Sequence, residues 1–141
     1  MKAGGKTMNE MNRCVELANE MNEIIHANTE AARQIKAGHE GTISRIMEKL
    51  RTAKQDRDGI KRFFSFGKLF RAKVNKITAE EARDMAQKYE QYAATADTIV
   101  KSEEELADTT ELLKEADASL QRREMIEQRA KDLLEALTMP E

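Results

Sequence analysis

The sequence predicts an all-α protein: an elongated antiparallel helical hairpin or coiled coil, or alternatively an up-and-down four-helix bundle. Three observations carry that expectation. Of 141 residues, 35% are charged and 40% hydrophobic, but only 4% are aromatic, with no Trp and one Pro. Such a mix, rich in Ala, Glu, Lys, Leu, Met and Arg, is what long helices use. Apolar residues recur in alternating steps of three and four, the mark of a helix stripe facing a partner helix. Finally, neither Gly nor Pro occurs between residues 78 and 137.

The first arm spans residues 8–64, after a flexible N-terminus over 1–7. Its stripe reads Met11, Cys14, Ala18, Met21, Ile25, Asn28, Ala32 and Ile35. It then meets Gly38 and Gly41, changes phase, and resumes as Ile43, Ile46, Leu50, Ala53, Arg57, Ile60 and Phe64. Two glycines at a phase slip predict a turn or kink at 38–41.

The second arm, 78–137, opens on Thr78-Ala79-Glu80-Glu81, a capping box in which the Thr78 hydroxyl accepts from the Glu81 amide. Its stripe runs Ala82, Met85, Tyr89, Tyr92, Ala96, Ile99, Glu103, Leu106, Thr110 and Leu113. After a small shift it continues through Ala116, Leu120, Ile126, Ala130, Leu133 and Leu137, leaving 138–141 as a tail. Ser102-Glu103-Glu104-Glu105 is a second candidate cap; a break there makes four helices. The phase passes through it unaltered, which favours one long helix. Stripes of Ala, Met, Ile and Leu make a thin core, and a hairpin of that kind leaves part of its seam open to another copy.

Charge is distributed unevenly. Residues 1–56 balance to +1, residues 57–76 to +6, and residues 77–141 to −9. All four Phe fall inside the basic block, as Phe63, Phe64, Phe66 and Phe70. As a helix, Ile60, Phe63, Phe64, Phe66, Phe70, Val74 and Ile77 share an arc of about 160°, interrupted by Arg71. Ser65 and Gly67 favour a turn instead, so the connection between arms is expected over 65–77. In that position the aromatics either plug the end of the bundle or dock something. Four buried Phe contribute on the order of 6–12 kcal/mol gross, a large share for so thin a core. As a docking site, Phe63, Phe64, Phe66 and Phe70 anchor, while Lys61, Arg62, Lys68, Arg71 and Lys73 steer. The partner expected is another protein. The alternative is an anionic membrane surface, where six net charges at about 1 kcal/mol each assist Phe insertion. Nucleic acid is disfavoured, because the rest of the chain carries −8.

Signals for catalysis are weak. Glu23 and His26 have E-x-x-H spacing, but a carboxylate-bridged metal pair needs a second such motif, and Lys36 stands where His39 needs its Glu. Glu103, Glu104 and Glu105, with Asp108 and Glu111, read as a solvated face without a pocket to shift a pKa. Cys14 falls on the stripe and is expected buried, a packed thiol rather than a nucleophile. No phosphate loop, nucleophile elbow or C-x-x-C pair is present. The chain is therefore expected to be a non-enzymatic interaction or assembly module without cofactors, self-associating through its heptad seams. With one Cys, no transmembrane run and no signal-like apolar start, the expected location is cytoplasmic, or peripheral to a membrane.

Overall fold

The computed structural model describes the backbone of residues 2–66 and 78–139, and side chains over 8–64 and 78–139. Two long helices pack against each other as an antiparallel hairpin: α1, Lys2–Phe66, and α2, Ala79–Thr138. No strand occurs among the described residues. The α1 helix starts further towards the N-terminus than the expected residue 8. At the start of α2 the hydroxyl cap forms as expected, with the Glu81 amide donating to Thr78 Oγ1 at 3.1 Å. The Ala82 amide donates to the Thr78 carbonyl at 3.0 Å, closing the first turn.

Neither interior break exists. The α1 helix continues through 38–41 and α2 through 102–108, so the chain forms two helices rather than a four-helix bundle. No described glycine adopts positive φ, the conformation a helix-ending glycine supplies. Gly38 and Gly41 are ordinary helix residues, each costing about 1 kcal/mol against Ala. That penalty is outweighed by the packing on either side.

The phase slip behind the expected turn disappears because the seam lies one residue further on. In α1 the inward positions are Val15, Ala18, Asn22, Ile25, Thr29, Ala32, Lys36, His39 and Ile43, and then Ile46, Leu50, Ala53, Arg57, Ile60 and Phe64. This is one unbroken heptad series. Met21 and Ile35, expected inside, are exposed, and so is Cys14. In α2 the seam lies one residue earlier, at Glu81, Lys88, Thr95, Ser102 and Thr109, leaving Ala82, Tyr89 and Glu103 exposed and Ala96 and Thr110 half-buried beside it. Further along, Ile126 and Leu133 give way to Glu127 and Leu134. A phase slip in an unbroken helix needs a local change of supercoil, and the heptad series of α1 needs none. Polar seam residues are accommodated locally. Thr29, fully buried, donates to the Ile25 carbonyl at 2.9 Å, and the Lys36 ammonium at a seam position pairs with Asp117 at 2.8 Å.

The contacts divide into two units, Met1–Glu40 with Leu112–Glu141, and Gly41–Glu111. In the first, Ala32 and Leu120 are buried, and register is set by Asn22 donating to the Ala130 carbonyl at 3.4 Å and by Lys36 against Asp117 at 2.8 Å. In the second, Ile46, Leu50, Ala53 and Ile99 form the core cluster, with Leu106 packed on it. Its far end is closed by Ile60 and Met85, both buried.

Candidate interaction site

The basic aromatic segment begins in the last turns of α1. Phe64 occupies a seam position and stacks on Tyr89 of α2, with ring centroids 4.5 Å apart and planes 28° apart. Phe63 meets Phe64 edge-on at 5.3 Å and 79°. The Lys88 ammonium lies over the Phe63 ring, 5.5 Å from its centre. Each such aromatic or cation–π contact contributes about 0.5–1.5 kcal/mol beyond area burial. Phe63 and Phe64 are thus half-buried parts of the second unit's packing. Lys61 and Arg62 are exposed on the same turn; Arg62 Nε donates to the Asp58 carbonyl at 3.5 Å. Phe66 ends α1, its side chain lying outside the described residues, as do Lys68, Phe70, Arg71 and Lys73.

Sequence reasoning missed the partners of these rings. Tyr89 was expected inside the seam; it is 56% exposed, with one face against Phe64. Lys88, not expected in the seam, takes its place there. Both follow from the one-residue correction in register.

A second cluster of charge lies in the first unit. His26 donates from Nδ1 to Glu127 Oε1 at 2.6 Å, and Glu127 is almost fully buried. Lys131 Nζ lies 3.7 Å from the same oxygen and Arg33 Nη2 4.0 Å from the other. The His26 hydrogen bond holds the Glu127 carboxyl below its ordinary value, helped by the charges of Lys131 and Arg33 and opposed by burial. His26 therefore turns to the opposite helix rather than to Glu23, three residues away. Among the described residues no group of three or more His, Cys, Asp or Glu is placed to hold a metal ion. Glu103, Glu104 and Glu105 are exposed, with Lys54 at 4.0 Å from Glu103.

The described site thus places the exposed cations Lys61 and Arg62 beside the half-buried rings of Phe63 and Phe64. No described helix is long and apolar enough to cross a membrane. Comparison with protein-family models, with curated proteins and with solved structures finds no match.

Proposed function

We propose that this chain is a non-enzymatic helical assembly module that associates with itself and docks a protein partner through residues 60–74. The observation that carries the docking reading is the coincidence, in the sequence between the two helical arms, of all four Phe with the +6 block. Aromatic and Arg side chains are the residue types that dominate interface energetics, and clustered cations steer acidic partners. The Phe64–Tyr89 stack supports this reading, because it anchors the start of the segment to α2 while Lys61 and Arg62 stay in solvent. The same charge favours a second reading, insertion at an anionic membrane surface.

Photo-crosslinking from position 70 tests the protein reading. A benzoylphenylalanine there should form an adduct with a different protein, and Lys68→Glu/Arg71→Glu should abolish it. No adduct sinks protein docking. Flotation with anionic vesicles, lost in Phe66→Asp/Phe70→Asp, establishes the membrane reading instead. If Phe66→Asp/Phe70→Asp unfolds the chain as far as Phe64→Asp does, the aromatics are core, and both readings fall.

A further inference from the structure

The two edges of the first unit differ in kind. Along one edge, Lys36 pairs with Asp117 and Arg33 with Glu124 at 3.6 Å, beside the His26–Glu127 bond. That edge is closed by charge. On the other edge most residues flanking the seam are apolar, interrupted by Asn28, Ser119 and Arg123. α1 contributes Leu17, Met21, Ile24 and Ile35; α2 contributes Leu112, Ile126 and Leu133. That the two sets share an edge is shown by two shallow grooves. One is lined by Asn28, Ile35, Ala116 and Ser119, the other by Ile25, Asn28, Arg123 and Ile126.

The second unit supplies an internal control. At the matching heptad positions it carries Thr42, Lys49 and Asp56 on α1, and Gln91, Thr98 and Glu105 on α2. These are the flanks of a two-helix seam that ends at water. The first unit has the same seam geometry but does not end its apolar surface at the flank. Its α1 stripe repeats in steps of three and four through Cys14, Leu17, Met21, Ile24, Asn28, Ala31 and Ile35, the spacing that receives another helix.

We propose that this apolar edge of the first unit is the surface on which a second copy of the chain packs, joining the two copies as a two-fold dimer. This deepens, and rests on, the self-association reading above. It moves that association from the heptad seams, which the two helices fill for each other, to the adjoining edge. Area decides in favour of a second copy. The seven apolar residues are between 42% and 63% exposed. At roughly 200 Å² per fully exposed residue their summed exposure is on the order of 750 Å², interrupted at Asn28, Ser119 and Arg123. One partner's share of a stable interface is about 800 Å². The patch therefore matches a self-complementary dimer without needing a further element.

The rim charges agree. Beyond the stripe α1 carries Glu20, and α2 carries Glu115, Arg122 and Arg129, a balance of +1 on the α2 side. A two-fold pairing that sets α1 against the partner's α2 brings opposite charges together. Charge repulsion then disfavours the like-with-like alternative.

Sedimentation equilibrium of the full chain tests the proposal. Wild type should give about 32 kDa, twice the 16.1 kDa chain, at tens of micromolar. Ile24→Glu/Ile126→Glu should give the single-chain mass with helicity unchanged, since both side chains are exposed. Val100→Glu, an exposed apolar position in the second unit, should remain dimeric. Should the double Glu variant lose helicity, Ile24→Gln/Ile126→Gln, which introduces no charge, decides in its place. A monomeric wild type overturns this proposal and the self-association reading together. A dimer that survives loss of the edge residues, or that Val100→Glu dissociates equally, overturns the edge alone.

Discussion

Replacing Ser102 with alanine should stabilise the protein. Ser102 lies in the α2 seam between Ile99 and Leu106, only 1% exposed, and its hydroxyl oxygen has no hydrogen-bond partner. A buried hydroxyl without a partner costs about 1–2 kcal/mol, and alanine removes it while keeping Cβ, so no cavity opens. Alanine is also the better helix former by about 0.5 kcal/mol. Together these give about 1.5–2.5 kcal/mol of added stability, or about 5 °C in the thermal midpoint for a chain of this size. Thr29 is the control. It is equally buried, but its hydroxyl is satisfied by the Ile25 carbonyl, and its methyl fills space. Thr29→Ala loses that bond and methyl against a propensity gain, a net loss of about 1 kcal/mol. The assay is thermal and urea unfolding followed by circular dichroism, at one fixed chain concentration because association shifts the midpoint. If Ser102→Ala lowers or leaves the midpoint while Thr29→Ala behaves as expected, the seam assigned to α2 is wrong.

Other consequences are simpler. Gly38→Ala and Gly41→Ala should each stabilise by about 1 kcal/mol, because an added Cβ meets nothing within 4 Å and neither residue has positive φ; destabilisation would mean that the chain does bend there. Glu127 predicts a pH dependence. Its carboxyl titrates below the ordinary 4.5 when folded, so the stabilisation it provides is present above 4.5 and is lost as pH falls through its folded value. Wild type should exceed Glu127→Gln in stability at pH 7, and the gap should close on acidification below about 4.5. A gap that stays constant down to pH 3 would show that the His26 bond contributes nothing to this titration.

Much of the architecture is legible in local sequence. The Thr78 box specifies where α2 begins, because its hydroxyl and the Glu81 amide are three residues apart and need no other part of the chain. The absence of Gly and Pro between 78 and 137 leaves nothing to interrupt that helix. The glycines at 38 and 41 misled because a helix interior tolerates them when packing outweighs their cost, and composition does not reveal that packing. Of the candidate docking residues, Lys61, Arg62, Phe63 and Phe64 can be compared with the structure. Two are exposed and two are half-buried against α2. Which ring finds Tyr89, and which takes Lys88, depends on register.

By itself, then, the sequence determined an all-α chain with apolar stripes, a capped start to the second helix at Thr78 and a basic aromatic segment between the arms, but not whether the chain makes two helices or four. Only the tertiary structure decided which part of each stripe is core. In the first half of α1 apolar residues cover a wider arc than one partner helix can bury. The most apolar reading of that arc is rotated by about 60° from the seam that α2 occupies. The heptad series of α1 is the same in both units, and in the second it carries Ile46, Leu50 and Ala53 into the core with Ile99. That choice draws Asn22, Thr29 and Lys36 inward and leaves Met21 and Ile35 in solvent. Met21, Ile35, Ile126 and Leu133, expected as core from the sequence, are exposed on the flank of the seam in the folded chain.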